Sequence, residues 1–291
     1  MWCIEYLKLL TKTNLLDKGP FETINNRFCK SIMGLPKQAS NFGVKAELGR
    51  SPVFSFICSQ VIRYWSRILH MSDDRLLKQA FYSELHIHNN GGTSWASFVI
   101  QLLESINSAS IWQNNTTLDK HVISTLKSKV TNSLTDKYFK TEFGMIGSNS
   151  KLRTFAKFKS NYIMEKYITI SDIPLCWRRL YCSFRISCHD LEIERARYAR
   201  PRKPPEERIC KMCKGSPETE QHFIIFCNTY SKLRKDLFSE VCQVDPTFVA
   251  LKECDKFEYL MTNEDTTVIK SVMKYIYYGM ILRKSQLCKV I

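Results

Sequence analysis

The chain has 291 residues, 44% of them aliphatic or aromatic, with 43 Lys and Arg against 28 Asp and Glu and a formal net charge of +15. That apolar share builds a packed core and excludes disorder as the default state, and the length suits one large domain or two modest ones. The cationic excess favours a polyanionic partner: nucleic acid first, an anionic membrane surface second, with simple solubility as the plain alternative.

The opening stretch "MWCIEYLKLLTKTNLLDKGPF" reads as an amphipathic helix. It lacks the succession of basic leader, apolar stretch and small-residue cleavage site that marks a signal peptide. No apolar run reaches the roughly 18 residues of a membrane span. A nuclear or cytoplasmic location is therefore expected, with no membrane partner. There the twelve cysteines stay reduced, and the sequons at Asn114 and Asn115 stay silent.

Helical periodicity dominates the rest, and the expected fold class is mainly α. "SPVFSFICSQVIRYWSRIL" starts with Ser51 as N-cap and Pro52 at the first helical position. Phe54, Ile57, Val61, Trp65 and Ile68 then make one apolar stripe. Leu118, Val122, Leu126, Val130, Leu134 and Tyr138 step by four. A third helix is predicted from Ile173 to Ala199, broken near Ser187–Asp190, and a last one over "TTVIKSVMKYIYYGMILRK" (266–284). Trp65, Trp95, Trp112 and Trp177 are expected in cores. Loops fall at 16–21, 88–94, 144–151 and 200–208. The Asn-Gly-Gly turn at 90–92 is the best candidate boundary, and "RPRKPPEER" reads as a stiff basic linker. The expected segments are a helical region over 1–90, a second over 91–204, a metal-stabilised module over 205–235, and C-terminal helices over 236–291. The helices of 20–90 and 93–200 are expected to form one or two bundles.

The sharpest signal is Cys210-x2-Cys213-x8-His222-x4-Cys227. Three thiolates and an imidazole suit tetrahedral Zn²⁺, and a closed all-protein set points to a structural rather than catalytic ion. A segment of about 25 residues cannot hold itself by apolar burial alone, whereas zinc supplies about 10–16 kcal/mol to such sites. Gly215 is expected to provide the tight turn, and Phe223, Ile225 and Phe226 a small apolar cluster. Residues five apart do not share a face of a regular helix, so a helix ending near Phe226 is needed to bring His222 and Cys227 together. Cys182, Cys188 and His189 form a weaker trio, better explained as reduced core residues.

Charge concentrates around this cluster. Between Lys151 and Lys235 there are 19 Lys and Arg against 9 Asp and Glu. Arg185, Arg195, Arg197, Arg200, Arg202, Lys203, Arg208, Lys211 and Lys214 are the candidate phosphate contacts. Tyr198, Phe223 and Tyr230 are candidates to stack on unpaired bases.

The stretch "LYCSFRISCHDLEIERARYARPRKPPEERICKMCKGSPETEQHFIIFCNTYSKLRKDL" resembles the C-terminal region of LINE-type (non-long-terminal-repeat) retrotransposon polyproteins. "IERARYAR" stands where that family has a basic segment with glycine in place of alanine, and "ETEQHFIIFC" followed by "NTYSKLR" fits its cysteine–histidine knuckle. "FCKSIMGLPKQASNFGVKAELGRSPV", "VIRYWSRIL" and "KLRTFAKFKSNYIMEKYI" resemble the segments after the polymerase, so the likeness spans roughly 20 to 240. It implies a non-catalytic tail that binds RNA or single-stranded DNA, served by a reverse transcriptase in trans, with Cys210, Cys213, His222 and Cys227 as the zinc ligands. The family's aromatic-x-Asp-Asp signature is missing. Asp73-Asp74 in "HMSDDRLL" lacks the aromatic residue and reads as a solvated surface pair. "QVDPTFVA", within the 64 residues after Cys227, offers no spaced acidic set for a nuclease. No catalytic centre is expected. A zinc-stapled protein–protein adaptor, or a degenerate transposon fragment, are the alternatives.

Overall fold

The structure is a computed structural model that describes residues 19–113, 118–146 and 151–288. The expected N-terminal helix and the two sequons lie outside the described residues. Among the described residues the fold is mainly helical, and the single β feature is a bridge between Ile209 and Pro217. Ten helices of the described residues have eight residues or more: α1 Pro20–Ile32, α2 Asn41–Leu48, α3 Val53–Leu69, α4 Leu76–Asn89, α5 Trp95–Ser105, α6 Lys120–Gly144, α7 Leu175–Arg185, α8 Ser231–Val244, α9 Glu253–Thr262 and α10 Thr266–Cys288. None of these is long and apolar enough to cross a membrane. No disulfide joins the described cysteines, all of which are free thiols.

The chain divides into two compact units. One takes residues up to Asn26 with Ser51–Thr141; the other takes Arg27–Arg50 with Glu142–Ile291. These lines do not follow the sequence segments. The Asn90–Gly92 turn, with Gly91 at φ +77°, joins α4 to α5 inside the first unit. Residues 205–235 belong to the second.

In the first unit the apolar stripe of α3 is rotated slightly from the predicted face. Phe54, Cys58, Ile62, Trp65 and Ile68 are buried, while Ile57 and Val61 are only half-buried. The helix begins at Val53, whose N–H donates to Glu22 Oε2 at 2.7 Å. Ser51 instead accepts a hydrogen bond from Thr135 at 2.9 Å. Trp65 stacks on Trp112 with centroids 5.4 Å apart, and Phe81, Val99, Leu103, Leu126 and Val130 complete the core. Asp73 and Asp74 are exposed, with Asp73 accepting the Tyr82 hydroxyl at 2.7 Å.

In the second unit α10 is the spine, packed against α7 and α8. Its start is fixed by Asp265, whose carboxylate accepts the N–H groups of Thr267 at 2.7 Å and Val268 at 3.1 Å, satisfying donors that a helix N-terminus leaves open. Its buried face includes Val272, Ile276, Gly279 and Arg283. A Cβ on Gly279 would lie 2.7 Å from Cζ of Phe223, so the absent side chain lets that ring seat directly on the helix. The long helix predicted from Ile173 ends at Arg185. Ser187 turns the chain at φ +53°, within the expected break.

Candidate metal centre

Between Arg208 and Glu218 the chain folds back on itself. Glu218 N–H donates to Arg208 O at 2.9 Å, Cys210 N–H to Ser216 O at 2.8 Å, and Lys214 N–H to Cys210 O at 2.9 Å. Lys214, not the expected Gly215, takes the left-handed conformation, at φ +56°. The Cys210-to-Lys214 closure places the reversal one residue before the glycine.

The chain returns through a single π-helical turn, His222–Phe226. Cys227 N–H donates to His222 O at 2.8 Å, a five-residue step in place of the usual four. This turn solves the spacing problem, since residues five apart then sit one above the other. Cys227 leaves it in an extended conformation, φ −63° and ψ 120°.

These two local folds bring one donor atom from each of Cys210, Cys213, His222 and Cys227 within 4.8 Å of one another. Cys210 Sγ lies 3.9 Å from Cys227 Sγ, and Cys213 Sγ lies 3.3 Å from His222 Nε2. A tetrahedron with thiolates near 2.3 Å and imidazole near 2.0 Å has edges of about 3.8 Å between sulfurs and about 3.5 Å from sulfur to nitrogen. Both separations lie close to those edges, so the four side chains form a group able to hold one metal ion. His222 Nδ1 is 2.9 Å from Ser216 Oγ. A proton on Nδ1 donated there leaves the Nε2 lone pair directed toward Cys213, the usual supporting contact of a ligating histidine. The hydrogen bond between Cys210 and Cys227, aided by burial, pushes the Cys210 thiol up to about 12, while the same contact lowers Cys227. Two thiols this close cannot both ionise cheaply, and a cation between them would remove that conflict.

Two acidic residues inside the loop fasten it to the second unit. Glu218, fully buried, accepts Arg283 Nε at 2.8 Å and Nη2 at 2.7 Å, the backbone N–H of Glu192 at 2.7 Å, and Cys210 Sγ at 3.6 Å. Glu220 accepts from Arg153 at 3.1 Å and from Thr154, Ser187 and His189, each at 3.0 Å. Burial works to raise its carboxyl, but His189 and Arg153 outweigh that and hold it near 2. Carbonyls at the end of the π turn are also used. Arg234 donates to Cys227 O at 2.8 Å, and Tyr275 donates to Phe223 O at 2.7 Å. Phe223, Ile224, Ile225 and Tyr230 are core residues. Phe223 faces Phe184, Tyr230 and Tyr275 with centroids 5.8, 4.6 and 5.7 Å away. Phe226, expected beside them, is exposed. The metal group is thus one corner of a domain core rather than a free-standing finger.

The predicted phosphate contacts divide into two classes. Arg185 is 2% exposed and serves Glu47 at 2.8 Å and Glu165 at 2.9 Å. Arg208 is buried and donates to Ile193 O at 2.7 Å and Lys203 O at 3.0 Å. Half-buried Arg197 forks onto Glu194 at 2.9 Å, and Lys211 reaches Glu192 at 3.0 Å. Arg185 and Arg208 are therefore structural, because buried guanidinium groups must be paired. Arg195, Arg200, Arg202, Lys203 and Lys214 are exposed. Phe223 and Tyr230 are removed as base-stacking candidates by burial, whereas Tyr198 is 69% exposed. Of the weaker trio, Cys182 is fully buried and His189 is held by Glu220. Of the four tryptophans expected in cores, Trp65 is buried, Trp95 and Trp112 are half-buried against the core of the first unit, and Trp177 is half-buried.

Ser216, Glu218, Glu220, Arg234, Tyr275 and Arg283 hold the site together, and spacing alone did not mark them. A helical-face count would have found Arg283, which lies seven residues from buried Ile276 and four from Gly279. No protein-family model matches the chain, and neither a curated protein nor a solved structure does.

Proposed function

We propose that the chain is a non-catalytic nucleic-acid-binding tail of a LINE-type retrotransposon reverse transcriptase, ordered by one structural zinc ion in a CCHC knuckle. The reading is carried by the convergence of Cys210, Cys213, His222 and Cys227 beside an exposed basic arm. Three sulfurs and one nitrogen suit Zn²⁺ better than the hard cations, which prefer oxygen. When bound, the ion supplies a four-point crosslink and no reaction. Arg195, Arg200, Arg202 and Lys203 stand exposed on the segment leading into the first cysteine, where a phosphate backbone of RNA or single-stranded DNA would bind through counterion release. Further support comes from the residues that carry the family resemblance. Glu218, Glu220, Tyr230 and Arg234 all brace the knuckle, so their place in the motif has a physical reason.

Filter binding to single-stranded RNA tests this. Affinity should fall steeply between about 50 and 200 mM salt. Replacing Arg195, Arg200 and Arg202 together by alanine should lower affinity and flatten the salt slope by about 2, at about 0.7 per lost phosphate contact. A flat or absent salt response in the wild-type chain would contradict the proposal. A second reading, a zinc-stapled protein adaptor, draws on the exposed apolar side chains of Phe28 and Ile32 in the second unit. It predicts partner binding that salt does not weaken.

A further inference from the structure

The first unit encloses a cavity of about 420 Å³ that the proposed function leaves unused. Its aromatic walls come from two sides: Trp65 on α3 with Trp112 beyond α5, and Phe81 with Tyr82 on α4. Trp112 stacks on Trp65 at 5.4 Å and an interplanar angle of 18°, and Phe81 meets Trp112 edge-on at 6.1 Å. Trp65 and Phe81 are buried and Trp112 is half-buried, whereas Tyr82 and His70 are exposed. The cavity therefore has a closed aromatic floor and opens to solvent beside Tyr82 and His70.

Two donors border it without a matching anion. Lys78 is only 6% exposed. Its Nζ donates to Leu69 O at 2.9 Å and lies 5.6 Å from the Tyr82 ring centroid. Among the described residues it has no carboxylate partner, although an ammonium carries three protons and buried charges are ordinarily paired. The buried indole N–H of Trp65 finds no acceptor either. No Asp or Glu lines the cavity among the described residues. Asp73, which accepts the Tyr82 hydroxyl at 2.7 Å, is exposed and is not one of its walls.

We infer that this cavity binds a planar aromatic group that carries one anionic substituent. Small-molecule sites are usually cavities of about 300–1,000 Å³ with apolar and aromatic walls and a few placed polar groups. Flat ring faces favour a flat guest over a branched aliphatic one, and the ammonium of Lys78 selects an anion over a neutral ring. Two sources share this chemistry: a free aromatic carboxylate, and the base and phosphate of a nucleotide. Neither the metal centre nor the basic arm is needed for it, since both belong to the second unit.

Calorimetric titration of the full chain with 2-naphthoate and its neutral isostere 2-naphthamide tests it. Wild type should bind the carboxylate about 10- to 100-fold more tightly than the amide. Lys78→Met should erase that preference while keeping the amide affinity, which shows that the cavity is intact. Ile111→Trp, which enlarges a half-buried wall residue into the cavity, should abolish binding of both probes. Equal binding of the two probes by wild type would overturn the anion, and no binding of either at about 1 mM would overturn the site. Undiminished binding by Ile111→Trp would put the probe elsewhere and overturn it as well. Wild type alone decides the anion, so a Lys78→Met chain that fails to fold does not blunt the test. Adenosine 5′-monophosphate and a 5′-phosphorylated oligoadenylate, added as competitors, separate the sources. Displacement of naphthoate by the monophosphate alone assigns a free nucleotide, by the oligomer as well a strand, and by neither an aromatic carboxylate; each supports the inferred chemistry.

Discussion

Cys213→Ser is expected to lower zinc affinity by more than about 100-fold, since even residues that only support a ligand are worth 10- to 100-fold. The loss should not stay within residues 205–235. The π turn that presents His222 and Cys227 also carries Phe223, Ile224 and Ile225 into the core. Withdrawing the ion removes a share of the roughly 10–16 kcal/mol that such a site supplies, and the packing around Phe223, Phe184 and Tyr275 should loosen with it. Metal content by mass spectrometry and the near-ultraviolet circular dichroism of the aromatic residues check the two halves of this expectation. Zinc retained at one per chain in the variant would show that Cys213 is not a ligand.

Arg185→Leu is expected to destabilise the second unit by about 3–5 kcal/mol, the usual cost of stranding one member of a buried ion pair. Helix α2 is held between Ser40, which accepts Gly43 N–H at 3.2 Å, and Gly49 at φ +58°, and it aims Glu47 inward. Glu47 is fully buried, with Arg185 at 2.8 Å and the Tyr167 hydroxyl at 2.7 Å. Arg185 also donates to Met261 O at 2.6 Å and lies 4.6 Å from the Phe158 ring centroid. Lysine should rescue poorly, because it lacks the planar fork that serves two carboxylates and a carbonyl at once. The paired change Glu47→Gln with Arg185→Met should recover much of the loss, since the fully buried carboxylate is then removed with its partner, while the more exposed Glu165 keeps its ion pair with Lys159. Urea denaturation of the three variants measures this. An Arg185→Leu protein of wild-type stability but weakened RNA binding would return Arg185 to the phosphate contacts.

Much of the fold was legible. Of the four-residue series from Leu118 to Tyr138, Leu118, Leu126, Val130 and Tyr138 are buried and Val122 and Leu134 half-buried, and α3 likewise turns one face inward, with Ile57 and Val61 at its margin. The four candidate ligands were legible because metal coordination constrains residue type and spacing together. What held them was not. A π turn leaves no mark in residue type, so the five-residue interval between His222 and Cys227 looked like an obstacle. The arginines were harder still, because a run of like charges does not say which members face inward. Arg185 sits three and four residues after buried Cys182 and Tyr181, which is the signal that separates it from exposed Arg195. For Arg208 there is no such periodicity. Its burial depends on carbonyls of Lys203 and Ile193 that only the folded chain brings near.

The most direct measurement is X-ray absorption at the zinc edge of the purified wild-type chain. One zinc per chain is expected, with three sulfurs near 2.3 Å and one nitrogen near 2.0 Å. A shell of oxygen and nitrogen only, or a chain that folds fully without any bound metal, would contradict the tetrahedral site on which the proposed tail depends.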